Sequence, residues 1–266
     1  MWSLKPLISM SFKNLAVMAA FSLFIFYFIL LASLFTMVDA SKFLSILKSE
    51  RFYFSIKISF ITAFITTVIS VIVAVPAAYA LSRTNFRFKP AVDLFLELPL
   101  IISPIALGAL LLLFFNTGAG KLIQNNFISF VYEVPGIIIA QFVTSAGIAT
   151  RLIKAAIDEI SPRYEFVART LGASDFKAFS TITLPLAKNG IIAAAVLTFA
   201  KSIGEFGATV TLAGAMPMKT ETLPIAIYLR LSNADIEGAA VFILTLLALG
   251  FTVTLLTRAF AKVRHG

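Results

Sequence analysis

The sequence predicts an all-α fold, a polytopic transmembrane helical bundle of six spans, and three observations predict it. The 266 residues are 59% hydrophobic and only 13% charged, with 27 Phe. A water-soluble domain of this size cannot cover that much apolar surface with so few charges. Several separate apolar runs exceed the roughly 20 residues that a helix needs to cross a hydrocarbon core. The largest charged stretch, residues 158–188, stands between two such runs and holds Asp158, Glu159, Arg163, Glu165, Arg169, Asp175, Lys177 and Lys188. Residues 1–266 read as one transmembrane domain, and a chain that places such a loop between two spans docks something water-soluble there.

The six spans fall at about 15–38, 54–81, 94–115, 134–156, 189–212 and 238–260. The first follows Lys5 and Lys13, yet its run is too long for the apolar core of a signal peptide. Val38-Asp39-Ala40 is also a poor cleavage site, so the span is retained. Pro76 lies in the second span and Pro99 and Pro104 in the third, where proline removes a backbone donor and kinks a helix. Gly214, Pro217 and Pro224 interrupt residues 213–237, an outer loop that dips back into the protein. With the N-terminus inside, the inner segments hold twice as many Lys and Arg as the outer ones, which places both termini in the cytoplasm. The formal charge of +9 belongs to this topology and to membrane lipid, not to nucleic acid. With no Cys, and one His at position 265, the chain has no candidate metal site and no catalytic constellation.

Within the charged loop, Ile160, Tyr164, Val167, Ala168 and Leu171 recur at helical spacing and predict a helix over 158–171. Ser161-Pro162 is its start signal and Gly172 its stop. A second short helix runs from Ser174 to Ile182, and Pro185 starts the chain again toward the membrane. This pattern resembles the cytoplasmic signature loop of ABC-importer membrane subunits: Glu-Ala-Ala, three residues, Gly, nine residues, Ile, one residue, Leu-Pro. Ala168, Gly172, Ile182, Leu184 and Pro185 match in register. Phe166 and Val167 replace the first two positions, and Glu165 lies one residue early. The resemblance implies a type I ABC importer permease with residues 158–175 as a coupling helix. Its apolar face would meet a groove in an ATPase subunit, with Glu165 and Arg169 at the rim. Val167, Ala173 and Asp175 complete the ATPase-coupling set.

The fifth span is similar in Lys201-Ser202-Ile203-Gly204-Glu205-Phe206-Gly207-Ala208-Thr209 to the permeases of molybdate, tungstate and sulfate importers. Thr220-Glu221-Thr222-Leu223-Pro224, followed by Ala226-Ile227-Tyr228, is most similar to the molybdate branch. Physically, Lys201 falls near mid-depth, where a charge costs about 2.5–3.5 kcal/mol on insertion scales and faces the bundle interior. Glu205 is one turn on and can pair with it. Gly204 and Gly207 permit close approach or a local break, and Ser202 and Thr209 offer hydroxyls to a passing oxyanion. Two readings stand side by side: a translocation pathway, or an ion pair that pins helix to helix.

No Walker A loop is present, so ATP and Mg belong to a partner ATPase and the chain itself holds no cofactor. The resemblance implies a multi-pass cell-membrane protein, a homodimer of this chain, two ABC ATPase subunits and an extracytoplasmic substrate-binding protein. A sulfate or thiosulfate permease is the alternative. An ion-coupled secondary transporter would require buried acids in several spans, and only Glu205 and Glu97 come near.

Overall fold

The computed structural model describes residues 5–262, with side chains over 12–255; Arg264 and His265 lie outside the described residues. All regular structure among them is helical. Among the described residues five helices are long and apolar enough to cross a membrane, or six spans if one sharply bent pair is counted as one.

Helix α1 (Lys5–Thr36) is followed by the short α2 (Ala40–Leu47) and the long α3 (Glu50–Arg83). The Phe12–Thr36 part of α1 buries none of its residues inside the chain. Ser49 starts α3 by accepting a hydrogen bond from the Phe52 amide at 3.3 Å. Pro76 lies inside α3 without ending it.

The sequence reading draws the third span as one helix over 94–115, and the structure corrects this. Helices α4 (Lys89–Ile101) and α5 (Pro104–Asn116) are bent by 114° at Ile102–Ser103. The cause is local. Pro104 has no amide to continue the ladder and holds Ser103 extended, at φ −62° and ψ 144°. The Ser103 hydroxyl then accepts from the Ala106 amide at 3.3 Å and starts a new helix.

After α6 (Gly118–Asn126), α7 (Val134–Asp158) returns across the bundle. Helices α8 (Arg163–Thr170) and α9 (Asp175–Ala178) form the charged loop. A π turn at Phe179–Thr183 leads straight into α10 (Leu184–Ile203), so Asp175–Ile203 is one continuous rod. Pro185 therefore lies inside this rod, just after the π turn, and does not restart the chain. The predicted helix over 158–171 is shorter, beginning only at Arg163. The fifth span ends at Ile203, and α11 (Gly207–Ala213) follows after a break. Helix α12 (Leu223–Ser232) lies in the outer loop, and α13 (Ile236–Lys262) crosses last.

Helices α3, α7 and α10 pack on one another as the central trio. In lipid, apolar side chains gain little by leaving the acyl chains, so close packing and hydrogen bonds hold helices together. The trio uses both. Ser55, Ser59, Thr62, Thr66 and Ser70 form a fully buried hydroxyl stripe on α3. Thr66 donates to Gln141 Oε1 at 3.0 Å, and Gln141 Nε2 donates to Thr62 at 3.4 Å. Such bonds contribute about 0.6 kcal/mol each in membrane bundles. A Cβ on Gly147 of α7 would collide with the Leu96 carbonyl, which lets α4 lie directly on α7.

Candidate functional site: a charged knob and two crossed breaks

The loop at 158–188 is a compact knob, built at one glycine. Gly172 has φ 89°, a left-handed conformation that costs glycine nothing. Its amide donates to the Arg169 carbonyl, and the next amide, of Ala173, donates to the Ala168 carbonyl, both at 3.0 Å. This pair of bonds closes a Schellman corner at the end of α8. The chain then enters α9 through Ser174, whose hydroxyl accepts from the Lys177 amide at 3.3 Å. Arg169 spans the corner, with Nε 3.2 Å from Asp175 and a second nitrogen 3.1 Å from Glu165. Outward from this frame project Tyr164, Phe166, Val167, Leu171 and Phe176, between 57% and 83% exposed. Five large exposed apolar side chains thus lie on the most charged stretch of the sequence. Ile182 is half-buried, whereas Leu184 and Pro185 are exposed at the start of α10.

Glu165 is not at the rim of that face, as the sequence reading expects. It is completely buried beneath it. The Tyr79 hydroxyl donates to Oε2 at 2.9 Å, and Arg83 Nε donates to Oε1 at 3.1 Å. The Thr183 hydroxyl donates to Oε1 from the π turn. Arg83 also donates to the carbonyls of Ile157, at 2.9 Å, and Ile160. One carboxylate thus joins α8 to α3, to the end of α7 and to the root of α10. Burial alone would raise its pKa. The hydrogen bonds from Thr183, Tyr79 and Arg83, with the Arg83 charge, outweigh burial and hold the carboxyl below the usual carboxylate range.

The second constellation lies at the break between α10 and α11. Lys201 and Glu205 are paired, Glu205 being 2% exposed. Its other oxygen accepts from the Ala208 amide at 3.2 Å, so Glu205 also caps the start of α11. Ser202 is buried with its hydroxyl 3.5 Å from that of Ser145. Thr209 is buried too, and its hydroxyl has no hydrogen-bond partner among the described residues. Gly204 is exposed, and the Lys201 side chain is 37% exposed. The structure brings Lys201 and Glu205 together and leaves Ser202 and Thr209 inside the chain.

Gly207 places this break against the other one. A Cβ there would come within 3.0 Å of Pro104 and Ile105, and one on Gly108 within 2.7 Å of the Ala208 backbone. The bend at Ile102–Ser103 and the gap at Gly204–Phe206 therefore cross at a common point. Sequence reasoning missed this meeting, although Ser103-Pro104 carries the same helix-start signal as Ser161-Pro162.

On the opposite side from the knob, the outer loop does dip back, as the sequence suggests. Thr220, Glu221, Thr222, Leu223, Pro224, Ile225 and Ala226 are all buried. Glu221 accepts from Arg51 of α3 and from the Met218 amide at 3.2 Å. The Leu223 amide donates to Ser59 at 2.7 Å. Tyr228 of α12 reaches Phe206 at the break, with ring centroids 5.3 Å apart.

Comparison with known proteins gives the following likenesses. Residues 70–264 match the family described as binding-protein-dependent transport system inner membrane component. The chain is 36% identical over 190 residues to the molybdenum transport system permease protein ModB of Escherichia coli (strain K12), covering 70% of this chain and 83% of that one. It is 30% identical over 228 residues to the sulfate transport system permease protein CysW of Synechocystis sp., covering 84% and 82%. A solved structure of a bacterial alginate ABC transporter, in complex with an alginate pentasaccharide-bound periplasmic protein, contains a chain of the same fold. The TM-score is 0.75 at 19% identity, covering 95% of this chain and 93% of that one.

Proposed function

This chain belongs to the family of binding-protein-dependent transport system inner membrane components, as an ABC importer permease of the molybdate and sulfate group, and from that premise we propose that it carries molybdate or tungstate inward. In this reading two copies enclose a path, an extracytoplasmic binding protein delivers the oxyanion, and ATPase subunits seat on the knob at 158–188. Both termini lie in the cytoplasm.

The observation that carries the reading is the apolar face of Tyr164, Phe166, Val167, Leu171 and Phe176, held on a hydrogen-bonded glycine corner. Such a face loses contact with water when a groove closes on it. Closure of two ATPases on ATP then displaces two knobs, and rocking of the rigid trio α3, α7 and α10 alternates access. At mid-depth, Lys201 and the exposed backbone at Gly204 meet the dianion, while Gly207 seats the break against Pro104 and Ile105 and Glu205 keeps the passage from holding the anion too tightly. Ser202 and Thr209 contribute when the break opens.

Molybdate is favoured by the higher identity to the molybdenum permease. A sulfate permease remains the second reading, because the sulfate relative is matched over more of this chain. Uptake by proteoliposomes that hold the complete transporter tests both. The proposal expects ATP-dependent accumulation of molybdate that tungstate suppresses and sulfate does not. Accumulation of sulfate, unaffected by molybdate, would establish the alternative. Uptake without an ATPase would end the importer reading altogether.

A further inference from the structure

Beneath the docking face lies a group that the docking itself does not use. We infer that Glu165 is the positioning residue through which the partner's stroke enters the membrane helices, acting as an internal tether and not as a contact for the ATPase. The inference rests on the importer reading above and deepens it.

The argument starts from what would hold the knob in the absence of this group. Helix α8 has eight residues, too few to be stable alone in water. Its outward side chains are exposed, so they give it no packing against the bundle. Between the bundle and α8, Glu165 supplies the buried polar link, reaching Tyr79 and Arg83 on α3 and Thr183 in the π turn. Arg83 passes the link on to the carbonyls of Ile157 and Ile160 at the end of α7. A displacement of α8 then has to move α3, the end of α7 and the start of α10 together, or break several hydrogen bonds at once. Without the tether, α8 would keep only its glycine corner and the Arg169–Asp175 bridge to α9, and its displacement would no longer be passed directly to α3 and the end of α7.

The chain has no Cys, so a single nitroxide can be placed at the exposed Thr170 through Thr170→Cys. In the complete transporter, Glu165→Gln should leave ATPase subunits bound, since the outer face is untouched. The nitroxide should become mobile, and molybdate moved per ATP hydrolysed should fall about tenfold. An unchanged transport ratio would overturn the tether. So would loss of ATPase binding with an immobile nitroxide, which would return Glu165 to the docking contact. Should Glu165→Gln fail to assemble, Thr183→Val removes one donor only. A fewfold drop in the ratio then supports the tether, and no drop overturns it. Failure of the unmodified chain to bind any ATPase would overturn the importer reading and the tether together, whereas the variant outcomes above bear on the tether alone.

Discussion

Glu165 and Glu205 are both buried carboxylates paired with a cation, yet they organise the chain on different scales. The side-chain partners of Glu165 on α3 and in the π turn lie 86, 82 and 18 residues away. The partners of Glu205 lie 4 and 3 residues away, at the Lys201 side chain and the Ala208 backbone amide. The first ties remote elements into one body; the second shapes a single interruption in one helix. Similar chemistry therefore gives a global brace in one place and a local cap in the other. The importer reading needs both: a rigid body that receives force, and a soft point where the path can change.

The comparison breaks first at Arg83, where the effect should be largest. The Arg83 side chain is 8% exposed and that of Glu165 is 1% exposed. Arg83→Ala removes a buried cation from a carboxylate that keeps Arg169, Tyr79 and Thr183, and takes a donor from two carbonyls, at a cost of about 3 kcal/mol. A large fall in the thermal unfolding midpoint in detergent would measure it; a shift typical of a surface mutation would contradict the brace.

Acid titrates the same pair. The folded carboxyl of Glu165 is held below its ordinary range. Its contribution is therefore complete above the unfolded carboxylate pKa and is lost as pH falls through that range toward the folded value. Thermal stability followed down the acid limb should decline less steeply in Glu165→Gln than in the unmodified chain. Parallel declines would mean that the network does not favour the ionised form.

At the other carboxylate the effects should be smaller. Glu205→Ala leaves the Ala208 amide without its acceptor, at about 1–3 kcal/mol. Glu205→Gln keeps an acceptor and should lose less. Stability scans of both variants separate the cap from the ion pair, since equal losses would assign the whole effect to charge. Lys201→Met removes the cation without touching the cap. Because it leaves the buried Glu205 carboxylate without its cation, it should lower the unfolding midpoint as well as depress molybdate uptake, and adding Glu205→Gln should recover the midpoint but not the uptake.

Gly172→Ala should cost about 1 kcal/mol, because alanine resists the left-handed backbone that the corner requires. The smallest change is expected at Lys219–Glu133, whose side chains are 45% and 39% exposed. Lys219→Ala should shift stability by less than about 1 kcal/mol.

How much of this was legible in the sequence follows from the same contrast. Lys201–Glu205 is an i, i+4 pair, so helical spacing alone reveals it. The glycine corner is equally local, and Gly172 with the residues before it predicts the end of α8. Glu165 was misplaced because nothing within a few residues of it announces Tyr79 or Arg83. The hydroxyl stripe of α3 was missed for a related reason. Serine and threonine cost little in an apolar run, so the hydropathy of the second span conceals which face they share. The sharp bend at Ser103 was present as a local signal, but the prolines around it read equally well as kinks within one span. The Ser103 cap makes it a full turn, and the meeting with Gly207, more than one hundred residues later, fixes where that turn sits in the bundle.

The widened turn at Phe179–Thr183 has a consequence for insertions and deletions in this protein. Each residue advances an α-helix by about 100°, and a π turn accommodates one residue more than the regular winding does. Deleting a single residue there would let the turn tighten into uniform α-helix with the segments on either side still in phase, whereas the same deletion inside α10 would swing the whole knob by about 100°. After a deletion in α10 the paddle would keep its shape and strike at the wrong angle. The widened turn is thus the slack of the machine, where a change of one residue in length should be absorbed and not passed on.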